Sequence, residues 1–174
     1  AGYEIGSQSM LEVVSAIAEV VTDYDDIPLI LAPDFTLDDE HVLAADELRE
    51  AIADLLAPQT TLLVADTAAL LALAQPDGDA EAPTLDAAVS HLLSQGCEYI
   101  LSMETGTHRL VNTLYCEEGQ LRQDLWDRGT QRVTGMTDTL GAAIAALLAN
   151  GQEPAEAVRE AQEYLFQACL LYTS

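Results

Sequence analysis

Lysine is absent from the 174-residue sequence, and the six basic residues it does carry are all arginine. Without lysine the chain has neither a Schiff-base amine nor a P-loop lysine, and both chemistries are excluded. Positive charge of any kind is scarce, since six Arg face 30 Asp and Glu for a formal net charge of −24. Nucleic acids and anionic membranes are bound by neutralising phosphate with Lys and Arg, so this balance argues against both as partners. It fits a solvated acidic surface of the halophilic kind, which repels itself at low salt. No apolar run reaches the ~18 residues that a membrane span needs. The opening residues AGYEIGSQSM lack the basic segment and apolar core of a signal peptide, and the expected location is the cytoplasm. Three cysteines, Cys97, Cys116 and Cys169, are odd in number and widely spaced. With no CxxC and no paired His, neither a disulfide framework nor a structural zinc site is expected.

Apolar residues make up 49% of the chain, enough for a core, and the length fits a single domain over residues 1–174. The order of elements is readable from periodicity. SQSMLEVVSAIAEVV repeats Met10, Val13, Val14, Ile17, Val20 and Val21 at helical spacing, with Ser9 and Glu12 as a capping box. IPLILAP is a short continuous apolar run, as in a strand buried on both faces. A helix is predicted over Ala44 to Leu56, with Leu48, Ile52 and Leu55 on its inner stripe and Pro58 closing it. Thr60 to Ala65 repeats the buried-strand pattern, followed by a helix at Ala68 to Ala74. Thr84 caps a helix ending at Gly96, and EYILSM supplies a third buried strand. Helix and strand thus alternate as in an α/β domain with helices on both faces of a mostly parallel sheet. RLVNTLYCEEGQLRQDLWD reads instead as a hairpin turning at Glu117 to Gly119. Two helices close the chain, Asp138 to Asn150 and Pro154 to Cys169. The acidic loops TLDDEH and QPDGDAEAP lack the ligand series of an EF-hand and read as solvated surface.

The most informative segment is Thr134 to Ala149, TGMTDTLGAAIAALLA, where small and polar residues run into an Ala-rich helix. The free N–H groups of such a first turn attract phosphate. Asp138 beside them has two readings: a helix cap, or a general base for a substrate hydroxyl during phosphoryl transfer.

That segment resembles the anion-hole motif of the ribokinase-like superfamily. More widely, DYDDIPLIL, LLAPQTTLLVA, LLSQGCEYIL, TGTH, VNTLY and EAVREAQEYLFQA fall in the order of the hydroxymethylpyrimidine/phosphomethylpyrimidine kinases of thiamine biosynthesis. The resemblance implies a three-layer α/β/α sandwich and ATP-dependent phosphorylation of a small-molecule pyrimidine alcohol, with Mg²⁺ as the companion ion. It implies that Gly135, Met136 and Thr137 form the anion hole, that Asp138 is the catalytic base, and that Thr105, Gly106, Thr107 and His108 contact ATP. It further implies a homodimer. Since AGYEIGS resembles a segment inside the family's N-terminal half, the first βαβ units are expected to be absent, and residues 170–174 read as a non-native tail.

Several positions depart from the family pattern. Ala32-Pro33 stands where the family has Asp-Pro. Val64, Ala65 and Asp66, then Ala69, replace a Thr-Pro-Asn motif and the Glu that organises magnesium, leaving Asp34 and Asp66 as neighbouring candidates for the metal. Thr137 occupies the place of the second anion-hole glycine. These losses define an alternative, a degenerate paralogue that binds a pyrimidine or nucleotide without turnover.

Overall fold

A computed structural model describes residues 7–24, 26–33, 35, 42–75, 83–127 and 136–171. Its elements are α1 (Ser7–Asp23), β1 (Ile30–Leu31), α2 (Val42–Ala51), β2 (Leu62–Asp66), α3 (Thr67–Ala74) and α4 (Leu85–Ser94). They continue as β3 (Tyr99–Thr105), β4 (Arg109–Cys116), β5 (Gly119–Asp127), α5 (Met136–Ala149) and α6 (Pro154–Leu171). The described strands form one sheet in the order β1-β2-β3-β4-β5. Its first half is parallel, with Ile30 opposite Leu62 and Leu62 opposite Tyr99. Its second half is the expected hairpin of β4 and β5, and β4 also pairs antiparallel with β3, which the sequence did not announce.

Alternate residues of the central strands build two cores, which is the origin of the three layers. Leu62, Val64, Leu101 and Met103 face Leu140 and Ile144 of α5 and Val158 and Leu165 of α6. Leu63, Ala65 and Ile100 face Leu70 and Leu73 of α3 and Val89 and Leu92 of α4. A strand sandwiched this way must be apolar on both sides, and four of the five residues of β2 are buried.

Helix ends follow local chemistry. Thr84 Oγ1 accepts from the Ala87 N–H at 3.3 Å, as an N-cap should. Gly96 follows α4 with φ of +119°, and a Cβ there would stand 2.7 Å from the Pro58 carbonyl oxygen, so glycine is required twice over.

Three expectations need correction. The IPLILAP run contributes only Ile30 and Leu31 to the sheet, half-buried, because β1 lies at the margin and has β2 as its only partner among the described residues. Ser9 is inside α1, which starts at Ser7. On the predicted inner stripe of α2, Leu55 is exposed and Leu56 buried. The cause is a π-helical turn at Ile52–Leu56, where the Ala57 N–H reaches back to the Ile52 carbonyl and the widened turn shifts the phase of the stripe. Helix α1 also divides its apolar surface. Val14 and Ala18 pack with Leu56, while Met10, Val13, Ile17 and Val20 remain exposed. Among the described residues, no helix is long and apolar enough to cross a membrane.

Candidate functional site

Because β1, β2 and β3 are parallel, their C-terminal ends share one edge of the sheet, the edge where open α/β sheets bind ligands. β2 ends there at Asp66, and β3 at Thr105. β5 runs parallel to β3 and ends at Asp127, opposite Arg109, on the same edge.

Asp66 is exposed and caps α3, its Oδ1 accepting from the Ala69 N–H at 2.8 Å. In the sequence Asp66 stands only as a metal candidate; the structure gives it a place at the helix start. Ala69 is buried in the core beneath that cap. Thr105 to His108 form the tip of the β3–β4 hairpin, all four exposed. The Gly106 N–H donates to the Arg109 carbonyl at 2.8 Å, and a Cβ on Gly106 would lie 3.2 Å from that oxygen.

Helix α5 starts two residues earlier than the sequence suggests, so Met136 and Thr137 are helical themselves. Met136 packs against the α5/α6 core, Thr137 is half-buried, and Asp138 is exposed in the first turn. Thr137 has negative φ, so it needs no glycine-only conformation there. Gly135 lies outside the described residues, as does Asp34. Further along, Gly141 rests on β1: a Cβ at Gly141 would stand 3.4 Å from the Ala32 Cβ and 3.8 Å from Ile30 Cγ2. Ala32 is thus used in packing α5 against the sheet. Among the described residues, no cluster of three His, Cys, Asp or Glu side chains is disposed to hold a metal.

The sequence reading missed a buried polar network behind this edge. Gln162, fully buried on α6, accepts from Asn112 Nδ2 at 2.6 Å and Trp126 Nε1 at 3.0 Å, and its amide donates to Asp124 at 3.0 Å. Arg122 clamps the same carboxylate through Nε and a terminal nitrogen, at 2.6 and 2.7 Å. Burial disfavours the Asp124 charge, but the hydrogen bonds from Arg122 and Gln162 outweigh it and hold the carboxyl below its ordinary range. Trp126 stacks on Phe166 with ring centroids 4.2 Å apart. Among the described residues the Asn112 Oδ1 has no partner. The available signal was a Gln within the apolar spacing Ala157, Val158, Ala161, Leu165 of α6.

Two cavities lie elsewhere. One of about 380 Å³ lies between α2, α3 and α4 beside Arg49 and His91, and one of about 480 Å³ between α4 and the β4–β5 turn. Arg49 donates to the Ala72 carbonyl in the last turn of α3, which accounts for its position. Cys97 is buried, and desolvation pushes its thiol up to about 12. Burial raises the Cys116 thiol too, and it donates to Glu118 at 2.8 Å.

Residues 3–172 match the family model described as phosphomethylpyrimidine kinase. The chain belongs to the phosphomethylpyrimidine kinase family. Among solved structures, it is similar to pyridoxal kinase from Bacillus subtilis in an ADP complex, with 21% identity over 88% of this chain and 58% of that one, and a TM-score of 0.69. Pyridoxal kinase from Staphylococcus aureus in complex with AMP-PCP has 19% identity over 89% of this chain and 57% of the other, at a TM-score of 0.73. Phosphomethylpyrimidine kinase from Clostridium difficile has 20% identity over 90% and 63%, at 0.62. These likenesses establish the ribokinase-like fold, and the chain spans less than two thirds of the length of each of these relatives. No curated protein matches the chain.

Proposed function

We propose that these residues belong to an ATP-dependent phosphotransferase acting on hydroxymethylpyrimidine or its monophosphate. The observation that carries this is the convergence on one sheet edge of the ends of β2 and β3, Asp66 and the Thr105–His108 tip, together with a helix first turn bearing an exposed Asp138. In the proposed reaction the Asp138 carboxylate accepts the substrate hydroxyl proton. The hydroxyl oxygen forms its bond to the γ-phosphorus as the bond to the ADP oxygen breaks. N–H groups of Gly135, Met136 and Thr137 receive the charge on the transferring phosphoryl oxygens, helped by the positive end of α5. Thr105, Gly106, Thr107 and His108 contact the nucleotide.

Mg²⁺ takes one or two carboxylates and leaves its other positions to water and phosphate. Asp66 fits that demand: one oxygen is held by the Ala69 N–H and the exposed carboxylate keeps another for a cation. Mg²⁺ bound there would neutralise nucleotide phosphate charge. Asp34 is the second candidate from the sequence.

One observation favours the second reading, a paralogue that binds without turnover. Ala32 and Ala69 are both committed to packing, with no acidic side chain at either position. The two readings separate in an ATP-consumption assay on the complete reading frame containing these residues, offered hydroxymethylpyrimidine, its phosphate and pyridoxal. Turnover that Asp138→Ala abolishes supports the kinase with Asp138 as base. Nucleotide binding without turnover on any of the three supports the paralogue, and turnover unchanged in Asp138→Ala refutes the assignment of the base.

A further inference from the structure

The cavity of about 480 Å³ is walled by one face of a helix and one turn of the sheet. Asp86, Val89, Ser90, Leu93 and Ser94 recur at three- and four-residue spacing, and so form a single stripe of α4. Tyr115, Glu117 and Gln120 line it from the β4–β5 turn. All of its lining residues, with the chain on either side of each, are among those described. Ile100 pairs with Tyr115 near the start of β3, whereas Thr105 pairs with Leu110 at its end. The cavity therefore stands at the opposite end of the sheet from the Thr105–His108 tip, roughly 17 Å away along the strand.

Tyr115 sits at an irregularity of the ladder. Leu114 pairs with Arg122 but Tyr115 pairs with Gln120, so Leu121 is passed over. Bulges of this kind re-aim a side chain and are common beside sites. The half-buried Tyr115 packs against the Leu63, Ala65 and Ile100 cluster and also lines the cavity. Burial pushes its phenol up and the Asp86 charge adds to the shift, which places that carboxylate within electrostatic reach of the ring. No Arg or His lines the cavity, while Asp86 and Glu117 are exposed carboxylates without an ion-pair partner among the described residues. The C-terminal end of α4, the negative pole of that helix, adds to the same field at Ser94 and Gly96.

We infer that this cavity binds a small organic cation, an alkylated ammonium, over the face of Tyr115 with Asp86 and Glu117 as its counter-charges. The face of an aromatic ring attracts a cation, most strongly where water is displaced. An anion would meet two carboxylates and no compensating charge. A bare metal ion needs a cluster of ligands, and none is disposed to hold one among the described residues. Val89 and Leu93 supply the apolar wall that the alkyl groups of such a cation would cover. The volume is within the range of small-molecule sites. This site is separate from the proposed phosphoryl transfer and does not depend on it.

The test titrates the protein of the complete reading frame with choline and with the neutral carbon isostere of choline, in which a tert-butyl group replaces trimethylammonium. Calorimetry in about 1 M KCl screens attraction to the net charge beyond about 3 Å. Choline is expected to bind with a Kd of about 1 mM or tighter, and the isostere at least about tenfold more weakly. Tyr115→Phe keeps the ring and should stay within about twofold of the parent, whereas Tyr115→Leu should weaken choline at least about tenfold. Asp86→Asn should weaken it several-fold, and Glu19→Gln, at an exposed acid on α1, should leave it unchanged. Should Tyr115→Leu fail to fold, the comparison of choline with its isostere decides alone. No choline binding at about 50 mM, an isostere that binds as tightly, or an affinity that survives Tyr115→Leu or Asp86→Asn, or falls as far in Glu19→Gln, would overturn the inference.

Discussion

Replacing Gln162 by Leu is the sharpest test of how α6 is fixed to the sheet. The amide is fully buried and meets three partners, so its removal strands the Asn112 amide, which is 1% exposed, and frees the Trp126 indole N–H. A buried donor left without an acceptor costs about 1–3 kcal/mol, and a half-buried one less. Asp124 keeps its two bonds from Arg122 and adds little to the loss. The sum is a destabilisation of about 2–4 kcal/mol, which in a chain of this size lowers Tm by roughly 5–15 °C. Adding Asn112→Leu removes the stranded donor, along with an Asn112 Oδ1 that is already unpartnered, and should return about 1–2 kcal/mol. Urea unfolding of the four members of the cycle measures this, with m-values expected to be equal. The reasoning fails if Gln162→Leu stays within about 0.5 kcal/mol of the parent, or if the double variant is no more stable than the single.

Asp66→Ala should cost about 1 kcal/mol through the lost cap of α3, whereas Asp66→Asn keeps an acceptor for the Ala69 N–H and most of the stability. If both variants lose activity in the complete protein, the charge is used for more than capping; activity that tracks stability would confine Asp66 to the cap. The Cys97 thiol, at about 12, is almost entirely protonated at pH 8. Its alkylation in the native chain should therefore be at least about a thousandfold slower than in denaturant, read by mass spectrometry of the Cys97 peptide. The folded-state pKa of Asp124 is depressed, so its contribution is fully present above the ordinary carboxylate range and fades as pH falls through the lower folded value. Stability measured from pH 6 downward should lose this slope in Asp124→Asn, and an unchanged slope would refute the role given to the Arg122 clamp.

The parts of the fold legible in the sequence are those where one periodicity dominates. β2 is apolar on both faces because two helical layers cover it, and Thr84, Gly96 and Pro154 mark helix ends by chemistry that acts within a turn. What the sequence hid depends on contacts distant in the chain. Nothing local to Leu55 announces a π-turn, and the length of β1 is set by its neighbour and not by its own apolar run. At the site, the start of α5 and its carboxylate were visible as a pattern of small residues before an Ala-rich helix. The capping role of Asp66 needed the β2–α3 junction, and Gln162 looked like one polar residue among many until α6 was laid against β4 and β5.

The division of the sheet into a parallel and an antiparallel half has a consequence for the order in which the molecule assembles. Cys116 meets Gly119 across a two-residue turn, and Thr105 meets Leu110 across a short loop, so β3, β4 and β5 can zip with little loss of chain entropy. Ile30 and Leu62, or Leu62 and Tyr99, find each other only after roughly thirty residues of intervening chain have been closed into a loop. The meander should therefore gain protection first in pulsed hydrogen exchange during refolding, and β1 last. The edge at which Asp66 and the β3–β4 tip meet would then be completed late, when the parallel strands dock onto a hairpin already formed.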